Sequence, residues 1–168
     1  MLGSWFNKDE GEITIILTNF PCSYNQCTHC PFELESIDDQ EEVIFTNSQI
    51  IEEAMEKVTE FDLKRIKIFN GGSFFELPDD VITSLKSITE GKEVSIESRP
   101  EFLSKKSIKR IFDELKPSKL KIFIGFDSTD ERVRNKLLNK GIPESEMNRI
   151  INDLKNIKNV GFYSYVLF

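Results

Sequence analysis

Cys22, Cys27 and Cys30 are the only cysteines of the 168-residue chain, and all three fall in the run Phe20-Pro-Cys-Ser-Tyr-Asn-Gln-Cys-Thr-His-Cys-Pro-Phe32, just after a β-branched apolar stretch. Thiolates crowded onto one short loop are metal or cluster ligands. Three of them can hold an iron-sulfur cluster by three of its four irons, leaving one iron open to a ligand that is not protein.

Other uses of the cysteines make less of this spacing. Burial as small hydrophobes would not gather every cysteine into one loop. A disulfide framework asks for an even count and a secretory context, and Met1 to Asp9 carries neither a basic n-region nor an apolar h-region. Structural zinc is the serious rival, since CxxC opens many zinc sites and His29, the only histidine, lies beside Cys30. Zinc sites usually close with two separated ligand pairs, however, and there is no second pair. Adjacent residues such as His29 and Cys30 seldom ligate one tetrahedral ion.

Further polar residues gather where strands should end. Gly71 and Gly72 allow close backbone approach or positive φ, and turned amides or carbonyls there could meet an amino or carboxylate group; a tight turn would use the same pair. Glu97 and Arg99 flank Ser98 and point to one face of an extended strand, either as an internal ion pair or as ligands. Arg99 can clamp a carboxylate with two parallel hydrogen bonds, and Glu97 can accept from hydroxyls or an ammonium.

Positioning these residues requires the elements around them. The patterning predicts strands over Ile13–Thr18, Arg65–Asn70, Val94–Ser98, Leu120–Phe126 and Val160–Phe168. It predicts a helix capped by Asn47 or Ser48 and running to about Phe61, with Ile50, Ile51, Ala54, Met55 and Val58 at helical spacing. Pro78 starts a second helix carrying Val81, Ile82, Leu85 and Ile88, and Ser104 caps a third that ends near Leu115 before Pro117. Ser128 to Glu131 reads as a capping box for a helix ending near Gly141. Pro143 opens another helix with Met147, Ile150, Ile151 and Leu154. The acidic stretch Glu33 to Glu42 has no clear period.

Strand and helix in alternation give a parallel sheet with helices outside it, in one domain over residues 1–168. Five βα units cannot close an eight-stranded barrel of about 250 residues. The expectation is a partial (β/α) barrel, the N-terminal part of a larger one, whose apolar last residues Tyr163 to Phe168 await missing strands or a partner. Ligands of such folds gather at the carboxyl ends of the strands, which here hold the cysteine loop, Asn70-Gly-Gly-Ser73, Glu97-Ser-Arg-Pro100 and Gly125-Phe-Asp-Ser128.

With a formal charge of -7, from 22 basic and 29 acidic residues, the chain is unsuited to broad phosphate neutralisation. The Lys-rich stretches Lys105 to Arg110 and Leu115 to Lys121 read as solvated faces. No apolar run approaches the roughly 20 residues that span a bilayer. The default is a cytoplasmic protein with reduced thiols.

On these residues the chain resembles the radical S-adenosylmethionine (SAM) enzymes, within the branch that holds the Elongator catalytic-subunit-like and archaeosine-biosynthesis proteins. The family loop is CxxxCxxC, and here the first spacing is four residues, a lengthening known in that branch. His29 precedes the third cysteine, where the family commonly has an aromatic residue packed on the SAM adenine. Asn70-Gly-Gly-Ser73 resembles the glycine motif that meets the methionine amino group, with Ser73 in place of the usual glutamate. Ile96-Glu-Ser-Arg-Pro-Glu101 resembles an E-[ST]-R-P segment, and Ile124 to Ser128 followed by Asn139-Lys-Gly141 resembles the fourth-strand segment and the basic residue after it. Asp127 stands where Glu or Gln is frequent, and Lys140 where Arg is.

The resemblance implies a [4Fe-4S] cluster on Cys22, Cys27 and Cys30, with the SAM amino and carboxylate groups on the fourth iron and reductive cleavage to a 5′-deoxyadenosyl radical. It implies Arg99 and Lys140 for the SAM carboxylate, Glu97 for ribose or amino contacts, and a role for Asp127 at the same site. It also implies an electron-donor protein. The branch acts on tRNA, so RNA modification is the implied chemistry, with the positive charge supplied by a further module or subunit. The alternative from another class is a non-catalytic zinc- or cluster-binding scaffold subunit.

Overall fold

The structure, a computed structural model, describes residues 2–166. Its centre is a six-stranded sheet in the order β1 (Gly3–Asn7), β2 (Glu12–Ile16), β3 (Arg65–Phe69), β4 (Glu93–Ser98), β5 (Lys119–Asp127) and β6 (Val160–Val166). Strands β2 to β6 run parallel, and β1 folds back antiparallel on β2 with Trp5 opposite Thr14. Four helices alternate with the parallel strands: α1 (Gln40–Glu60), α2 (Asp79–Thr89), α3 (Lys105–Leu115) and α4 (Glu144–Leu154). The sheet does not close, and β1 and β6 are its edges among the described residues. This is an α/β fold of partial-barrel type, with one strand, β1, that the sequence reading lacked. Leu167 and Phe168, expected in the last strand, lie outside the described residues.

The period-2 alternation of the strands divides the sheet into two unlike faces. Ile13, Ile15, Ile66, Ile68, Val94, Ile96, Leu120 and Ile122 are fully buried and pack with Ala54, Leu85, Ile88, Ile108 and Ile111 from the helices. Of the residues between them Thr14, Lys67 and Lys121 are only half-buried, and charges pair across that face, with Lys67 Nζ 2.7 Å from Glu12 Oε1 and Lys121 Nζ 2.5 Å from Glu93 Oε1. No helix covers that second face among the described residues.

Three local expectations are corrected. Helix α1 begins at Gln40 and is capped by Asp39, whose Oδ1 accepts from Glu42 N at 2.8 Å. Asn47 instead lies buried inside it, pairing with Thr18 N and Thr18 O at 2.9 Å each. It fixes the chain where β2 runs out toward the cysteines. The helix expected after Ser128 is present but shorter, with helical residues over 131–137 that end in the π-helical turn Val133–Leu137, and its cap is Asp130, whose Oδ1 accepts from Arg132 N and Val133 N. From within this segment Arg134, fully buried, donates from Nε to Ile142 O at 2.7 Å and from Nη1 to Ser128 O at 2.8 Å, tying it to the chain on either side. Met55 and Ile151, expected on apolar helix faces, are exposed.

Candidate functional site at the carboxyl ends of the strands

The cysteine loop is fastened to two distant segments. On one side Tyr24 Oη donates to Asn139 O at 2.8 Å, Thr28 Oγ1 to Leu137 O at 2.9 Å, and Asn139 Nδ2 to Gln26 O at 2.7 Å. The Tyr24 ring carries the Arg99 guanidinium 4.0 Å above its centroid. On the other side Glu76 Oε1 accepts from Ser23 N at 3.0 Å. Protein contacts therefore order the loop from both flanks.

The glycine turn after β3 meets the loop from below. Gly71 has φ +68°, a conformation open to glycine. A Cβ on Gly72 would lie 3.5 Å from Asn19 Nδ2, 3.6 Å from Glu76 Oε2 and 3.9 Å from Cys22 Cβ. Ser73 is fully buried and faces away, its Oγ 3.0 Å from Ser98 Oγ. Behind the turn, Asn19 and Asn70 are buried, and among the described residues both Asn19 side-chain polar atoms and Asn70 Oδ1 have no hydrogen-bond partner.

These pieces line a half-open cavity of about 230 Å³. Cys22, Cys27, Cys30, His29, Gly71, Gly72, Glu97, Arg99, Asp127 and Lys140 all line it, so of the residues singled out by sequence only Ser73 stands outside. Phe123 and Tyr165 line it too and were not foreseen. Their signal lay in the alternation: Phe123 pairs with Tyr163 across β5 and β6, and Tyr165 follows on the same face, with Phe123 stacked on both tyrosines. Glu76 was also missed, although Ser73-Phe-Phe-Glu76 has the spacing of a capping box.

The charges of the cavity are cross-paired. Lys140 Nζ lies 2.7 Å from Asp127 Oδ2, and His29 Nε2 lies 3.3 Å from the same oxygen. Arg99 does not pair with Glu97. It turns to Glu101 and donates from Nη2 to Lys140 O at 3.0 Å. Burial pushes the Glu97 carboxyl above its ordinary value, against a hydrogen bond from Tyr165 and the pull of Lys140. Tyr165 is pushed far up as well, first by burial and then by the Glu97 charge it faces. Burial also raises the Cys27 thiol, with Lys140 and Arg99 opposing. Among the described residues no three His, Cys, Asp or Glu side chains gather closely enough to hold a single metal ion. The three thiols share one cavity without converging on a point.

No protein-family model matches the chain. An uncharacterized protein of Methanocaldococcus jannaschii is 32% identical over 169 residues, which is 93% of this chain and 46% of that protein. The archaeosine synthase subunit beta of Methanosarcina acetivorans is 25% identical over 139 residues, 77% of this chain and 40% of the subunit. The chain thus spans less than half the length of these curated relatives. Among solved structures, the queuine lyase from Clostridium spiroforme bound to SAM and queuine superposes with a TM-score of 0.71 at 21% identity, covering 97% of this chain and 80% of the lyase. The chain is thus similar in sequence to the archaeosine synthase subunit and in fold to the SAM-bound lyase.

Proposed function

We propose that residues 1–168 form the core of a radical SAM enzyme, the N-terminal part of a larger barrel, in which Cys22, Cys27 and Cys30 hold a [4Fe-4S] cluster and the neighbouring rim holds SAM. The observation that carries this reading is the single cavity on which three thiols, two cations and two carboxylates open together. When bound, the pair supplies reductive cleavage of the SAM sulfonium, chemistry that belongs to the cofactors.

The donor set fits that pair. A single zinc ion with sulfurs about 2.3 Å away draws them to within ~4 Å of one another, whereas a four-iron cluster takes each thiolate on a separate iron and needs no such convergence. The glycine turn leaves backbone open to a ligand, and the unpaired amides behind it are polar groups in need of partners. Arg99 and Lys140 bring positive charge for a carboxylate, and Glu97 an acceptor for hydroxyl or ammonium groups. His29 and Phe123 offer ring faces, and Gly72 keeps the approach clear. The Asp127–Lys140 pair holds the far wall in place.

The archaeosine synthase relative supports tRNA as the substrate class. An acidic chain reaching tRNA needs a basic module or partner subunit, and the cleavage needs an electron-donor protein. No helix among the described residues is long and apolar enough to cross a membrane, and the free thiols suit a reducing cytoplasm. That the relative is a subunit also favours a second reading, a non-catalytic metal-binding scaffold. Anaerobic reconstitution with iron and sulfide, followed by assay of 5′-deoxyadenosine from SAM and a reductant, separates the two. A brown protein that releases 5′-deoxyadenosine is expected. A colourless protein with stoichiometric zinc would overturn the enzyme reading.

A further inference from the structure

Ser73 occupies the place where the resemblance expects a carboxylate, yet a carboxylate reaches that turn by another route. Glu76 stands three residues on, at the end of the short helical turn Phe74–Glu76, and its side chain folds back. Oε2 accepts from Ser73 N at 3.1 Å and Oε1 from Ser23 N at 3.0 Å. One carboxylate thus satisfies two backbone donors 50 residues apart in sequence, one beside the glycine pair and one beside Cys22. Bonds from backbone N–H to a carboxylate are the stronger, charge-assisted kind. The other flank of the loop, from Tyr24 to Thr28, is tied to Leu137 and Asn139, so Ser23 N is the bonded amide closest to Cys22.

We infer that Glu76 is a positioning residue that sets the first cysteine against the glycine turn. Its two oxygens bridge the segments that carry Cys22 and Gly72. A helix cap alone would need one of these bonds, the one to Ser73. The second serves the cysteine loop. The inference rests on the cluster reading only for its purpose; the linkage itself is a property of the protein without iron.

Amide hydrogen exchange of the full chain without metal, measured by peptide for native protein, Glu76→Ala and Glu76→Gln, tests it. In Glu76→Ala, exchange should rise at least tenfold in the peptides around both Ser23 and Ser73, while peptides from β4 and α3 keep their protection and so show an intact fold. Gln offers one acceptor oxygen in place of two and should restore only one of the segments. Faster exchange around Ser73 alone would reduce Glu76 to a helix cap and overturn the inference, as would no change in either segment. Should the alanine variant unfold, the glutamine variant still decides between one restored segment and none disturbed. Iron and sulfide content after reconstitution is then compared: loss in Glu76→Ala with retention in native protein is the expected result. A native chain that binds no iron would sink the cluster reading while leaving the exchange result standing.

Discussion

Lys140 Nζ and Asp127 Oδ2 stand 2.7 Å apart, with the lysine side chain 13% and the aspartate 9% exposed. Gly125 makes this possible, since a Cβ there would lie 3.2 Å from the Lys140 nitrogen. Asp127 itself sits at φ +60°, turned at the end of β5 to face the returning loop. An ion pair this deep depends on both partners, because either charge alone is left in a poor solvent. Asp127→Asn and Lys140→Met should each cost about 3 kcal/mol. The double variant should recover a large part of that, giving a coupling above about 1 kcal/mol in a double-mutant cycle followed by urea unfolding. Strictly additive losses would refute the coupling.

Glu97 is the second carboxylate of the cavity, and its burial makes stability depend on pH. Its folded value lies above the ordinary 4.5 because burial disfavours the charge. Below 4.5 the group is protonated in both states and exacts nothing. As pH rises through the folded value the unfolded chain gains an ionised carboxylate more readily than the folded one, so stability falls. Glu97→Gln keeps an acceptor for Tyr165 and removes the charge. Its melting temperature should exceed that of the native chain at pH 7.5, and the two should converge below pH 4.5. An advantage that persists unchanged into acid would assign the effect to packing instead of titration.

Arg134 carries a larger load than its surface-residue chemistry foretells. It is fully buried and holds Ser128 O and Ile142 O, closing the loop that delivers Lys140. Hydrogen bonds from a charged donor are worth about 1.5–3 kcal/mol each, and truncation also leaves carbonyls unpaired. Arg134→Met should therefore cost at least about 3 kcal/mol by denaturant unfolding. A loss under about 1 kcal/mol would show that the loop is held by Asn135 and Asp130 without it.

These residues show where sequence reading reaches and where it stops. Strands β2 to β5 were legible because β-branched residues alternate there with polar ones, and a parallel sheet sends every strand's carboxyl end to one side. That topology alone placed the cysteines, glycines, Glu97, Arg99 and Asp127 on a common rim. Strand β1 was not legible, since Gly-Ser-Trp-Phe-Asn has no β-branched residue and is held by pairing with β2 and by the bond from Lys57 to Ser4. Asn47 has the chemistry of a helix cap and spends it on Thr18, 29 residues away. The helix expected after Ser128 forms but stops at Leu137, short of Gly141, and the buried Arg134 that bonds to carbonyls on both sides of it leaves no periodic trace. At the glycine turn Ser73 is buried against Ser98, and the carboxylate that reaches the turn is that of Glu76.

Two glycines of the site should respond oppositely to the same substitution. Gly141 has φ +63°, and a Cβ there would come within 2.4 Å of Tyr24 Oη, the phenol that ties the cysteine loop to Asn139. Both the backbone strain and the clash act on that tie, so Gly141→Ala should destabilise by about 2 kcal/mol or more and free the loop. Gly72 lacks the positive φ, and its added Cβ would make only ordinary contacts of 3.5 Å and beyond. Gly72→Ala should unfold within about 1 kcal/mol of the native chain. Its methyl group, however, would stand in the cavity where backbone is otherwise exposed. SAM binding to the reconstituted protein, measured by equilibrium dialysis, should therefore fall at least tenfold for Gly72→Ala. Native-like affinity in that variant would remove the glycine turn from the ligand's path and place SAM elsewhere on the rim.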